Sequence, residues 1–365
     1  MPTVFKGHKI GPLQLIKLQA DGKLPGPEPT KALKYDLKRF ESGVRPNFKA
    51  LPNRKAGGVA AFATDTDYGY LVGLNRKYHA LSAVNLEDNG CYDPVSVKVD
   101  HSGNAWVACE DNSSFNGPAA EEYSKTGALV SEYNGGVPCL YSQHCEFTEA
   151  YGFDTAETSS NVFDSLTFYE AEYCDPSCYE TYGGGYEFWP AGSPSSGATL
   201  VTLPYCAPIC DVYYMDADNN GNLWIAYYGY SGEYGYGIAE VQNPASGSPT
   251  VVSVISPGSI EFPGGVYVSN GGTVLNVTDQ ETHVTTQYSI SGSSLSETGT
   301  IGPTGLNLEG LGDPVTGGMN STDTTMGFGD AYGWIDSCVG ATCKLRASAD
   351  FPDGAQGFAF DPSDK

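Results

Sequence analysis

A strand, a turn built from Asp, Gly and Asn, and a second strand carrying a Trp occur twice in this chain, over residues 97–108 and again over residues 213–226. Asp and Asn side chains hydrogen-bond their own backbone and Gly supplies positive φ, so the middle of each stretch reads as a hairpin turn. The β-branched and aromatic flanks read as its strands. Weaker echoes lie at Gly152-Phe153-Asp154, at Ile260-Glu261-Phe262 before residues 264–268, at Gly318-Met319-Asn320 and at residues 357–361. Five steps lead from Asp100 to Asp361 with a mean of about 52 residues, near the ~40–50 of a four-stranded propeller blade. Helical periodicity is nearly absent after residue 56, while short β-rich runs bounded by Gly, Asn, Asp and Ser recur throughout. The predicted fold is therefore all-β, a six-bladed β-propeller, with a two-sheet sandwich or a β-helix as the alternatives.

The last copy of the repeat is followed by Lys365 before any partner strand, whereas residues 59–63, 70–74 and 80–84 supply three strands that lack an inner one. An unpaired strand edge exposes a row of backbone donors and acceptors, which closure satisfies. The N- and C-terminal strands are thus expected to share the closing blade.

Charge divides the chain in two. Residues 1–55 hold 12 Lys/Arg against 4 Asp/Glu, a charge of +8, which leaves 7 basic and 39 acidic residues, −32, for residues 56–365. The expected organisation is an extended basic N-terminal arm, 1–55, on an acidic propeller body, 56–365. Pro and Gly punctuate the arm, so it does not read as a domain of its own. Its apolar residues nonetheless form two patches, Leu13, Leu15 and Leu18, then Leu33, Tyr35, Leu37 and Phe40 beside Lys34 and Lys38. The second patch suits a strand with one buried face or a short helix capped by Thr30 and stopped at Gly43, and the pattern does not separate the two. A solvated linker needs no such spacing. Residues 10–16 are too short and interrupted for a secretory core, so no signal peptide is readable in this numbering. No apolar run approaches the 18 residues of a membrane span, and a pI near 4.3 argues against nucleic acid as a partner of the body.

The Asp-x-x-Gly-Asn-x-Trp-Val-Ala run at residues 100–108, with its longer relative at 216–226, resembles the blades of secreted bacterial propellers of the NHL and virginiamycin B lyase-like group. The resemblance covers roughly residues 56–365, and the motif is a turn signature that speaks for fold rather than chemistry. It implies a secreted propeller. Lyases and lactonases of this shape hold a central metal on His, Glu or Asn ligands from several blades, a set that cannot be matched residue by residue here. The arm has no counterpart in the pattern.

Ten cysteines fall into five near neighbours: Cys91 with Cys109, Cys139 with Cys145, Cys174 with Cys178, Cys206 with Cys210, and Cys338 with Cys343. An even, locally paired set with no Cys-x-x-Cys and only five His argues for disulfides and an oxidising, extracellular or cell-surface location over a zinc site. Asn112, Asn276 and Asn320 head Asn-x-Ser/Thr sequons that matter where the source glycosylates. Asp216, Asp218 and Asn220 match the first half of a calcium loop, but Tyr227 stands where a bidentate Glu is required. An EF-hand is rejected, leaving a weak Ca²⁺ site or a plain hairpin turn.

Tyr227, Tyr228, Tyr230, Tyr234 and Tyr236 crowd one blade, a candidate surface for sugars or a partner protein, with between-blade packing as the competing use. No Gly-x-Ser-x-Gly or His-Glu-x-x-His run is present, so no catalytic residue is assigned and no cofactor is required. The expected function is non-enzymatic: a secreted subunit that binds copies of itself head to tail through its basic arm, forming filaments because such a contact does not close by default. The alternative is a carbohydrate-binding propeller or a metal-dependent lyase or lactonase.

Overall fold

The computed structural model describes Val4–Phe5 and His8–Lys9, which pair as a two-stranded ribbon, and the chain from 58 to 361 apart from 66–68, 101, 113–116, 135–146, 152–153, 172–179, 197, 204–208, 231–233, 247, 270, 303–313, 321, 331–333, 341 and 348–354. Six antiparallel sheets form a propeller. Blade 1 runs outward through Cys91–Val99, Ala105–Asn112, Gly117–Tyr123 and Leu129–Asn134. In blade 2 the inner strand is broken into Phe147–Tyr151 and Thr155–Glu157, both on Asn161–Ala171, followed by Glu180–Pro190 and Thr199–Thr202. Blade 3 is Ile209–Ala217, Leu223–Tyr230, Tyr234–Gln242 and Thr250–Ile260. Blade 4 is Pro263–Val268, Val274–Asp279, Val284–Ser291 and Ser294–Ile301. Blade 5 is Pro314–Met319, Met326–Asp330, Trp334–Val339 and Thr342–Ala347.

Blade 6 closes the ring as the unpaired edges require. The C-terminal strand Ala355–Phe360 lies innermost, and Ala61–Asp65, Tyr70–Leu74 and Ala80–Asn85 follow it outward. Phe358 is buried at the junction with blade 5, where Gly327 leaves room for its ring: a Cβ there would collide with the Phe358 ring. Neither a two-sheet sandwich nor a β-helix fits this topology.

The turn motif works as its chemistry demands. Asp100 Oδ1 accepts the Asn104 amide at 2.8 Å, Asp218 Oδ1 accepts the Asn222 amide at 3.0 Å, and Gly103 and Gly221 take φ of 81° and 79°. In both hairpins the Asn side chain then reaches a Glu two strands out, Asn104 to Glu122 at 2.7 Å and Asn222 to Glu240 at 3.0 Å. Thr158, Ser269 and Asn320 make the equivalent turn in blades 2, 4 and 5. The echo at Gly152-Phe153-Asp154 is not that turn, because Asp154 sits in the break of the blade 2 inner strand.

The core lies between blades. Each interface has its own cluster of buried side chains, such as Trp106, Ala120, Tyr133, Val162 and Trp189 between blades 1 and 2. Strands so enclosed are apolar on both faces, as in the fully buried Tyr70–Leu74, which is why period-2 alternation is faint in the sequence. Cys91 and Cys109 are joined by a disulfide between adjacent strands of blade 1, with Cα atoms 5.4 Å apart. Cys338 is also disulfide-bonded and lies directly across the blade 5 ladder from Cys343. Cys139, Cys145, Cys174, Cys178 and Cys206 lie outside the described residues, as does the Cys210 side chain.

Candidate functional site

The inner strands end around a central cavity of about 130 Å³ lined by residues of all six blades. Its charged centre is Lys98, which alternates with Val97 and Val99 along the inner strand of blade 1 and so turns toward blade 2. Lys98 Nζ lies 2.9 Å from Asp154 Oδ2 and 3.7 Å from Asp216 Oδ1, and it donates to the Met215 carbonyl. Asp154 is held by the break in blade 2, where its amide donates to Ser165 Oγ at 2.8 Å. Burial raises its carboxyl above the usual range, against the pull of Lys98, the Met215 amide and Ser96. Asp216 is raised by burial as well, opposed by Lys98 and the Val268 and Ala217 amides.

Each of these carboxylates also takes a backbone donor of the next blade. Asp154 Oδ2 accepts the Met215 amide at 3.1 Å, and Asp216 Oδ2 accepts the Val268 amide at 2.7 Å. With Ser96 Oγ donating to Asp154 Oδ1 at 2.8 Å, blades 1 to 4 are stitched in sequence around the channel. A charge tied to neighbouring backbone in this way is committed to holding the ring together. Outside it, at the same end of the ring, a cleft of about 800 Å³ runs over the turns of blades 1 to 3 and is lined by Asp100, Glu157, Asp218 and Asn219. Glu157 is exposed there, and partial desolvation in the cleft, with Asp100 and Glu122 nearby, raises its carboxyl above the usual range.

The calcium-loop residues do not converge. Asp216 faces the channel, Asp218 spends Oδ1 on the Asn220 and Asn222 amides at 2.8 and 3.0 Å, and Asn220 is exposed at the tip. Among the described residues the one group of three His, Cys, Asp or Glu side chains close together is Cys91, Cys109 and Glu121, and its sulfurs are already joined to each other. Glu121 is fully buried, takes the Tyr123 hydroxyl, and is held up at about 8 by burial, less the Tyr123 bond and with a push from Glu132.

The tyrosines divide between packing and surface. Tyr227 is fully buried between blades 2 and 3, as is Tyr186, so it leaves the candidate ligand surface because no edge of it meets solvent. Tyr228, Tyr230, Tyr234 and Tyr236 form a continuous ladder on the opposite end of the ring from the channel cavity. Tyr228 stacks on Tyr234 with centroids 6.0 Å apart and planes 14° from parallel, Tyr230 meets Tyr234 at 4.8 Å, and Tyr236 joins Tyr228 to Phe262 at 5.1 and 5.2 Å. Tyr230 and Tyr234 are 43% and 63% exposed. At the inner end of the ladder burial lifts Asp211 to about 6.

Of the sequons, Asn276 is corrected. It is 1% exposed, its amide nitrogen donates to the Tyr267 carbonyl at 3.2 Å and its oxygen accepts from Gln287, so no glycan fits there. Asn320 organises the blade 5 turn through Oδ1, and the Asn112 side chain lies outside the described residues. The arm residues Leu13, Leu15, Leu18, Leu33, Lys34, Tyr35, Leu37, Lys38 and Phe40 lie outside them too. Sequence reasoning did not find Lys98, and it singled out Asp154 as a turn echo. Neither carries a local signal, since their meeting depends on strands of separate blades being brought to one axis.

No model of a known protein family matches the chain, and no curated protein matches it either. Solved structures do. The crystal structure of a nidogen/laminin complex superposes with a TM-score of 0.51 at 11% identity, over 84% of this chain and 98% of that one. A functionally unknown protein from Desulfotomaculum acetoxidans gives 0.50 at 11% identity, over 83% and 98%. A putative 6-phosphogluconolactonase from Bacteroides fragilis gives 0.48 at 10% identity, over 84% and 98%. At such identities the likeness establishes the propeller and no activity, and the narrower NHL and virginiamycin B lyase-like grouping gains nothing from it.

Proposed function

We propose that this protein works by association: an extracellular, non-enzymatic propeller whose basic arm, residues 1–55, seats on the acidic body of another copy and builds a head-to-tail polymer. The observation that carries this reading is the division of charge, +8 on residues 1–55 and −32 on the rest. Two of the body's cations are engaged within it, Lys98 with Asp154 and Asp216, and Lys125 with Asp361 at 2.9 Å. The Cys91–Cys109 disulfide is in keeping with an oxidising compartment. Among the described residues no helix is long and apolar enough to cross a membrane. The test compares the full chain with a variant lacking residues 1–55 by light scattering and negative-stain imaging. Polymers of the full chain and folded monomers of the variant are expected, and assemblies that persist without the arm overturn the reading.

A second reading has its own observation. The exposed ladder of Tyr228, Tyr230, Tyr234 and Tyr236 presents rigid aromatic faces with hydroxyl tips, the chemistry that stacks on and hydrogen-bonds a sugar ring. A metal-dependent lyase or lactonase needs ligands converging in the channel, and there Asp154 and Asp216 are instead spent on Lys98 and on backbone amides.

A further inference from the structure

Blade 2 carries a row of buried oxygen ligands that have no hydrogen-bond partner among the described residues. Thr155, Asp164 and Glu187 stand directly opposite one another on three adjoining strands, Thr155 across from Asp164 and Asp164 across from Glu187. Opposed residues of antiparallel strands share a face, with Cβ atoms about 5 Å apart. The three are 1%, 1% and 2% exposed. Among the described residues Thr155 Oγ1, both Asp164 oxygens and both Glu187 oxygens lack a hydrogen-bond partner, and the nearby Ser165 amide donates to the Asp154 carbonyl.

The row faces blade 1, because Val162 and Trp189, two residues along the same strands, pack there with Trp106, Ala120 and Tyr133. Across from it blade 1 presents Ser96, Ala108 and Ala120 in one register, two of them with no more than a methyl group. The described charged groups of this interface do not compensate it. Lys98 is engaged with Asp154 and Asp216, and Glu122 and Glu157 add negative charge. Buried polar groups left unpaired on this scale call for a water or an ion, and adjoining carboxylates call for positive charge.

We infer that the Thr155–Asp164–Glu187 row is the binding site of a hard divalent cation, Ca²⁺ by preference, seated between blades 1 and 2 and clamping them together. Four carboxylate oxygens and a hydroxyl are an all-oxygen set, which suits Ca²⁺ or Mg²⁺ and not a thiophilic metal. Two carboxylates balance its charge. Ca²⁺ is favoured because it accepts bidentate carboxylates and irregular geometry, whereas Mg²⁺ demands a near-ideal octahedron. Thr155 lines the central cavity, which gives the ion an entry path. This site is independent of the arm and of the Asp216, Asp218 and Asn220 hairpin.

The test uses the full chain stripped with EDTA. Tb³⁺ is the probe, because Trp106 and Trp189 lie on the same interface and sensitise its emission when it binds. Added Tb³⁺ is expected to give indole-excited emission that Ca²⁺ displaces, and Ca²⁺ at a hundredfold its Kd to raise Tm by about 5 °C. D164N/E187Q, isosteric and neutral, is expected to stay folded and lose both responses, while D218N keeps them. If D164N/E187Q does not fold, the single variant T155V is expected to weaken Tb³⁺ emission in a protein with an unchanged melting transition. No bound ion and no shift in the parent chain overturns the inference, and so does loss of the response in D218N with its retention in D164N/E187Q.

Discussion

Replacing Lys98 by Met keeps the aliphatic stem and removes the one cation that Asp154 and Asp216 share. Asp154 is 1% exposed, and its Oδ2 lies 2.9 Å from the Lys98 nitrogen. Stranding one partner of a buried pair costs about 3–5 kcal/mol, and the 17% exposure of Lys98 points to the lower end. For a body of this size about 3 kcal/mol lowers Tm by roughly 6 °C. The loss must depend on pH. The Asp154 carboxyl is already raised in the folded protein despite Lys98, and without the cation it rises further. A carboxyl raised on folding binds a proton that the unfolded chain releases, so stability declines as pH climbs from the unfolded value near 4 toward the folded one. K98M should therefore lie closest to the parent at pH 5 and furthest below it at pH 8. K98M/D154N removes the stranded charge while its amide oxygen still accepts the Met215 N–H, and should recover most of the loss. Thermal melts of the three proteins at both pH values decide the matter. An equal deficit at pH 5 and pH 8, or no recovery in the double variant, refutes the reasoning.

Removal of residues 354–365 takes out the innermost strand of blade 6 and the buried Phe358, and should abolish the cooperative melt of the whole body; a truncated protein with unchanged Tm contradicts the closure. Glu121, held at about 8 when folded, makes the parent lose stability as pH rises from about 4.5 to 8, so E121Q should gain on the parent between pH 5 and pH 8.5, and parallel melting curves would count against its burial as an acid.

What the sequence discloses about this fold is its local chemistry. The Asp, Gly and Asn of each hairpin act within five residues, so the two copies at Asp100 and Asp218 are legible and the blade count follows from their spacing. In blades 2, 4 and 5 the same turn is made by Thr158, Ser269 and Asn320, whose hydroxyl or amide does the work of the carboxylate, and there the motif fades. The closing blade is legible too, since a missing inner strand at one end and an unpaired one at the other demand each other. The channel charges and the Thr155–Asp164–Glu187 row are not. An acidic residue within a strand reads as solvent-facing, and only the ring, which puts a sheet against both faces, buries Asp164 and Glu187. The same enclosure turns Tyr227 from a surface candidate into core while leaving Tyr230 and Tyr234 outside.

The two ends of the ring are chemically unlike, and this sharpens what a head-to-tail contact requires. The cleft with Asp100, Glu157 and Asp218 lies where the inner strands finish, and the tyrosine ladder lies at the hairpin between Tyr230 and Tyr234, on the other end. A basic arm drawn by charge alone belongs on the acidic end, and its hold weakens as salt screens it. At about 0.5 M salt the Debye length is only a few ångströms, so such an assembly should dissolve. An arm that adds backbone hydrogen bonds and buries Leu33, Tyr35 and Leu37 as a donated strand uses charge for attraction and orientation and apolar contact for affinity. That assembly should survive the same salt and dissociate only on denaturation. Reach does not decide between them, because 55 extended residues span roughly 180 Å at ~3.3 Å each. Light scattering of the full chain across a salt titration does: dissolution places the contact in the exposed charges, and persistence places it in the apolar face of the arm.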